Sequence, residues 1–190
     1  MNPVIETIRN RRSTRSYETK PIPKDILDTI VDAANHAPSG MNTQPWRFVV
    51  VEDPGFKKML LETAIPNCKK YLEEHVKPAN PQRYELILRR YAELEDPIYY
   101  GAPAMVFVIG SGPNAPEACP LACENMMLAA QSLGVGNCWV KFGSMITNNP
   151  EIVNGLELKA DEKIYGPILL GYAKEIPKPP VKRDPIVKWI

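Results

Sequence analysis

Arg11, Arg12, Ser13, Thr14 and Arg15 set three guanidinium groups and two hydroxyls in five consecutive positions. Guanidinium groups grip phosphate oxygens through charge-assisted, often bidentate hydrogen bonds, so the run is a candidate anion site. Taken alone it reads better as a solvated basic turn, because charge runs usually face water. Two other stretches weigh against that bland reading. Pro38-Ser39-Gly40-Met41-Asn42-Thr43-Gln44-Pro45-Trp46 is rich in short hydrogen-bonding side chains and leads into an apolar run, as a ligand-lining loop does. Lys182-Arg183 is a second basic pair far along the chain, and two distant basic clusters can converge on one phosphate dianion.

Other chemistries lack their parts. No G-x-x-x-x-G-K-[ST] run exists, which excludes a P-loop. Gly110-Ser111-Gly112-Pro113-Asn114-Ala115 does match the G-x-G-x-x-A dinucleotide fingerprint between a strand and a helix. Against it, no acidic residue ends the following strand, where Cys138, Trp139, Val140 and Lys141 stand, and Pro113 and Pro116 remove amide donors that a pyrophosphate would need. His36 and His75 are the only histidines, and Cys119 and Cys123 have no partner pair, so a metal centre is not expected. There is no G-x-S-x-G and no cysteine with a plausible histidine partner. Group-transfer or redox chemistry would need an imported reagent, which is what a cofactor supplies.

The elements that must position these residues are legible from apolar spacing and punctuation. Asn2-Pro3 starts a short helix with Val4, Ile5 and Ile8 on one face. Pro23 opens a second helix carrying Ile26, Leu27, Ile30, Val31 and Ala34, which Pro38 ends. Trp46 to Val51 and Ala104 to Ile109 read as buried strands, and Asp53-Pro54 caps a third helix with Phe56, Met59 and Leu60. Pro66 to Pro97 reads as a charged excursion over the core, with one amphipathic stretch from Tyr84 to Leu94. Glu117 to Leu133 is a helix apolar nearly all round, ended by Gly134. Asn137 to Phe142 and Ile164 to Tyr172 supply two more strands, the last interrupted at Gly166-Pro167. Residues 173–190, with Pro177, Pro179, Pro180 and Pro185, cannot form a helix and must lie along another surface or stay unfolded.

The 190 residues suit one domain, residues 1–190, with enough core to need no disulfide or structural metal. A formal charge of +1 gives no global attraction to nucleic acid or an anionic membrane, and no apolar run is long enough to span a bilayer. The first 20 residues hold no stretch that reads as a secretion signal, so a cytoplasmic protein with thiols rather than disulfides is expected.

Taken in order, the basic run, the Pro38–Trp46 loop, Glu124-Asn125-Met126-Met127-Leu128-Ala129-Ala130 with its Leu133-Gly134 end, Gly136-Asn137-Cys138-Trp139, and the segment from Gly171 to Lys182-Arg183 resemble the FMN-dependent nitroreductase family. The resemblance implies an α+β fold, a mixed β-sheet flanked by helices, in a homodimer whose extended C-terminal tails are exchanged. It implies that Arg11, Arg12 and Ser13 contact the FMN phosphate and ribityl chain, with Lys182 and Arg183 joining at the phosphate. Arg15 becomes the cation at the pyrimidine edge of the flavin. Pro38, Ser39, Asn42 and Gln44 belong to the loop that reaches the ring from the other subunit, and Trp139, Val140 and Lys141 to the segment whose backbone lies against flavin N5. The implied activity is two-electron, ping-pong transfer from NADH or NADPH through the flavin to a small acceptor: a nitroaromatic, a quinone or another flavin. A non-catalytic FMN carrier, and a related flavoenzyme performing dehalogenation or flavin breakdown, are the alternatives.

Overall fold

The computed structural model describes residues 2–190. Helix α1 (Pro3–Asn10) begins where Asn2 Oδ1 accepts from the Val4 amide at 2.9 Å, and α2 (Lys24–Asn35) buries Leu27, Ile30 and Ala34. Strand β1 (Trp46–Val51) is followed by α3 (Pro54–Tyr71), started by the Asp53 carboxylate accepting from Phe56 N at 2.7 Å. Pro66 does not break α3. The helix runs on through it because Ala64, Cys68 and Leu72 are fully buried on one face, and that burial outweighs one missing backbone bond. A π-turn (Leu72–Val76) and α4 (Pro81–Ala92) follow, so the stretch expected as an excursion is largely helical. Only α4, with no fully buried residue, lies over the core as expected.

Strand β2 (Ala104–Gly110) leads into α5 (Ala115–Ser132), which ends with Gly134 in the left-handed region at φ 73° and the Val135 amide donating back to Ala130 O at 2.8 Å. Strand β3 (Gly136–Trp139) is shorter than expected: the Val140 amide donates to Pro167 O at 3.1 Å and the chain then turns through a 3-10 segment, Lys141–Ser144. Tyr99 fixes that turn by donating its hydroxyl to Gly143 O at 2.9 Å. A short α6 (Pro150–Gly155), capped by Asn149, was not legible in the apolar spacing. The last expected strand is two pieces, β4 (Lys163–Ile164) and β5 (Ile168–Gly171), separated at the cis Gly166-Pro167 bond.

The sheet runs β1-β2-β5-β3, with β4 also beside β2, and its ladders are antiparallel. Parallel pairing among the described residues is confined to an isolated bridge, Ser13 to Asn137. All seven residues of β2 are buried, and successive ones point to opposite faces. Ala104, Val106 and Val108 pack with α2 and α5; Met105, Phe107 and Ile109 pack with the Leu60, Ala64 and Cys68 face of α3. Residues after Ala173 carry no helix or strand. All four cysteines are buried thiols, and no described helix is long and apolar enough to cross a membrane.

At the β1 end of the sheet, Arg47 clasps Glu162 through Nε to Oε1 at 2.8 Å and Nη2 to Oε2 at 2.7 Å, and also donates to Glu157 O at 2.8 Å. These bonds tie the loop before β4 to β1. The Arg47 hydrogen bond, helped by the Lys159 amide, holds the Glu162 carboxyl down to about 2. A depressed carboxyl stabilises the fold above its ordinary value and loses that contribution as pH falls toward the folded value. Replacing Glu162 by Gln is therefore expected to cost about 1–2 kcal/mol near neutral pH. Denaturant melts should show that gap closing as pH falls from about 4.5 toward about 2; a constant gap would mean that the ion pair contributes nothing beyond shape.

Candidate functional site

The basic run leaves α1 as extended chain and docks against the edge of β3. The Thr14 amide donates to Asn137 O at 2.9 Å, and Tyr17 donates its hydroxyl to Thr14 O at 2.7 Å. Thr14 is 3% exposed and packs over Gly136, where a Cβ would lie 2.7 Å from Thr14 Oγ1. Because alternate residues of an extended segment face opposite ways, a buried Thr14 turns Ser13 and Arg15 outward on the other side. Asn137 is fully buried, with Nδ2 donating to Met127 O at 3.0 Å, so the run, β3 and the end of α5 are locked together.

The arginines are not equivalent. Arg12 Nη1 turns back on α1 and donates to Arg9 O at 2.6 Å and Arg11 O at 2.7 Å, closing the helix end. Arg11 Nη1 is buried and has no hydrogen-bond partner among the described residues. A buried guanidinium nitrogen left without an acceptor is costly, so this nitrogen fits an incoming anion. Arg15 Nη1 reaches Ser13 O at 3.4 Å, and its guanidinium lies near Tyr100 and Cys138. Burial pushes both the Tyr100 hydroxyl and the Cys138 thiol up, and Arg15 opposes each shift. Tyr100 sits at φ 56°, in a turn held by the Asp96 carboxylate, which accepts from Tyr99 N at 2.7 Å and Gly101 N at 2.9 Å. Arg15, Tyr17, Asp96, Tyr100 and Lys174 line a cleft of about 530 Å³.

The second stretch forms an exposed, left-handed loop. Met41, Asn42 and Gln44 have φ of 51°, 54° and 44°, uncommon for residues with a side chain, and Met41 is 93% exposed. Ser39 Oγ accepts from the Gln44 amide at 3.0 Å, and Gln44 Nε2 donates to Asn42 O at 3.4 Å. Pro38 and Ser39 form its first limb, beside α5. Trp139 is 38% exposed at the end of β3, Val140 is buried, and Lys141 Nζ stands 5.9 Å from the Tyr71 ring centroid.

Within one chain these groups are only partly brought together. Ser13 bridges to Asn137, and Arg11, Ser13 and Arg15 lie beside Cys138, the residue before Trp139, whereas no hydrogen bond or ion pair among the described residues joins them to the Pro38–Gln44 loop. Lys182 and Arg183 are exposed on the tail, likewise unjoined to the basic run. Thr14, Asn137 and Tyr100 were not singled out from sequence for these roles; Gly136, small enough for the Thr14 side chain to pack over it, is the one residue type that marks that contact. No group of three or more described His, Cys, Asp or Glu residues is placed to hold a metal ion.

Compared with known proteins, residues 8–172 match the sequence profile described as the Nitroreductase family. The chain is 31% identical over 142 residues to an NADH dehydrogenase/NAD(P)H nitroreductase of Methanothermobacter thermautotrophicus, a match covering 72% of this chain and 59% of that protein. A 57-residue segment is 44% identical to iodotyrosine deiodinase 1 of Rattus norvegicus, covering 30% of this chain and 20% of that one. Among solved structures, a nitroreductase with bound FMN from Bacteroides fragilis NCTC 9343 superposes with a TM-score of 0.79 at 30% identity, covering 100% of both chains.

Proposed function

The chain belongs to the nitroreductase family, and on that premise we propose that it is a cytoplasmic, homodimeric FMN-dependent NAD(P)H oxidoreductase that reduces a small acceptor of the nitroaromatic, quinone or flavin type. The observation that carries the reading is Arg11 Nη1, buried without an acceptor beside a run of basic and hydroxyl side chains locked on β3. That arrangement fits a phosphate monoester. When bound, FMN supplies two-electron chemistry between a nicotinamide donor and the acceptor. Arg11 and Ser13 would hold the phosphate and ribityl chain, Arg12 would join them only through the guanidinium nitrogens not spent on α1, and Lys182 and Arg183 would add charge at the phosphate. Arg15 offsets negative charge at the pyrimidine edge of the ring. Trp139, Val140 and Lys141 run along the ring, and Pro38, Ser39, Asn42 and Gln44 approach it from the second subunit.

Exposed apolar surface supports the dimer. Val4, Ile5 and Ile8 of α1 are 63%, 44% and 48% exposed, and the tail carries Ile176, Val181, Ile186, Trp189 and Ile190 almost wholly exposed. The tail of a second copy has a seat beside the edge strand β1. There α2 and β1 enclose a groove of about 560 Å³ lined by Leu27, Val31 and Phe48 together with Asp32, Glu52 and the Lys24–Asp28 ion pair. The short likeness to a deiodinase supports a second reading, reductive dehalogenation at the same site. Halide release from a halogenated phenol, with nitro and quinone compounds left untouched, would select it.

The purified protein is expected to bind about one FMN per chain. Replacing Arg11 by Ala should weaken FMN by about 1.5–3 kcal/mol while riboflavin, which lacks the phosphate, loses little. Equal losses would place Arg11 elsewhere. Removing residues 174–190 should abolish both dimer formation in sedimentation and FMN binding; a truncated chain that stays dimeric and yellow defeats the exchanged tail. Donor and acceptor are taken to use one surface in turn, so double-reciprocal plots against NAD(P)H at several acceptor concentrations should be parallel. Intersecting lines would mean that both bind at once.

A further inference from the structure

The run Gly110-Ser111-Gly112-Pro113-Asn114-Ala115 has the spacing of a pyrophosphate cradle, yet in this fold its groups face another part of the chain. Gly110 ends β2 against the loop that precedes β1: a Cβ there would lie 2.8 Å from Pro45 O and would also strike Cys119 Sγ. The next amide, Ser111 N, donates to the same Pro45 O at 3.2 Å. Gly112, at φ 84°, swings the turn around. Asn114 then extends its side-chain amide across the gap, with Nδ2 donating to Gly40 O and to Thr43 Oγ1, each at 3.2 Å. Those two acceptors bracket Met41 and Asn42, both left-handed.

Asn114 stands at the N-cap position of α5, where an asparagine ordinarily turns its side-chain oxygen onto the first helical amides. It makes no such bond here. Gly40 has the complementary feature: the three atoms nearest a Cβ placed there all belong to the Asn114 side chain, the closest at 3.2 Å. Pro113 and Pro116, which argue against a phosphate cradle, restrict the backbone on either side of Asn114. Met41, Asn42 and Gln44 hold a conformation that side-chain-bearing residues disfavour, and such a conformation persists only where its surroundings impose it.

We propose that the Gly110–Ala115 turn is a clamp that sets the shape of the Pro38–Pro45 loop, with Asn114 as a positioning residue for the cofactor ring. The inference rests on the reading of that loop as the one facing the flavin in the second subunit. Asn114 acts through Gly40 and Thr43 and touches no ligand itself. Its effect falls on the ring end of the site, which FMN and riboflavin share, in contrast to Arg11 at the phosphate end.

The test uses the full-length protein stripped of flavin, and visible titrations with FMN and with riboflavin. Asn114→Asp keeps the shape and the helix-capping ability of asparagine but has no N–H to donate. It should weaken both flavins alike, by roughly five- to tenfold. Gly40→Ala pushes the loop off the clamp from the opposite side and should give the same equal loss. In an Asn114→Ala background, where the three atoms nearest that Cβ are gone, Gly40→Ala should cost little further, the non-additivity expected of two substitutions that act on one contact. Wild-type affinity in Asn114→Asp, a loss confined to FMN, or additive losses in the double variant would each overturn the clamp while leaving the cofactor assignment intact. A wild-type protein that binds neither flavin would overturn both.

Discussion

A backbone hydrogen bond from Thr14 to Asn137 decides which way the arginines face. The basic run has no element of its own after α1, so its register is set by a parallel bridge from Ser13 to β3, an antiparallel bridge from Tyr17 to Ala173, and the fit of Thr14 over Gly136. A slip of one residue would turn every side chain to the opposite side, burying the Ser13 and Arg15 positions and exposing Thr14. Asn137 resists that slip because it is engaged twice, through its carbonyl to Thr14 and through its amide to Met127 at the end of α5. The helix, the edge strand and the charged run are thereby one mechanical unit. Arg11 and Arg15 inherit their separation from it, one end fitted to an anion and the other lying beside Tyr100.

Local rules read well where the determinants are local. The Asn2 and Asp53 caps, the apolar face of α2, the fully apolar β2 and the Gly134 helix end follow from side chains within a turn of one another, and all stand in the fold. Pro66 misleads because the proline penalty is fixed while burial depends on what lies across the core; Leu60, Ala64, Cys68 and Leu72 share a buried surface that spacing alone did not extend through the proline. Strand β3 ends early for a similar reason, since Tyr99, distant in sequence, anchors the turn at Gly143.

The candidate site divides along the same line. Clustered charge made Arg11 to Arg15 conspicuous, and short polar residues before an apolar run did so for Pro38 to Gln44. Tyr100 carried no signal because its neighbour Arg15 comes from far along the chain. Gly110 to Ala115 carried a misleading one: a glycine-bearing turn between strand and helix can serve a phosphate or another loop with the same residues. Its partner, not its spacing, tells the two apart.

Strand β2 has a consequence that reaches past architecture. Its odd and even positions belong to different cores, so a shift of its backbone is felt on both sides of the sheet at once. The two layers are therefore expected to lose structure together rather than in sequence. Innovation is pushed outward, to the surface loop before β1, the turn after β3 and the tail, none of which carries the central strand. A scaffold organised in this way can acquire a new substrate by rewriting its periphery while the mechanical centre stays as it is.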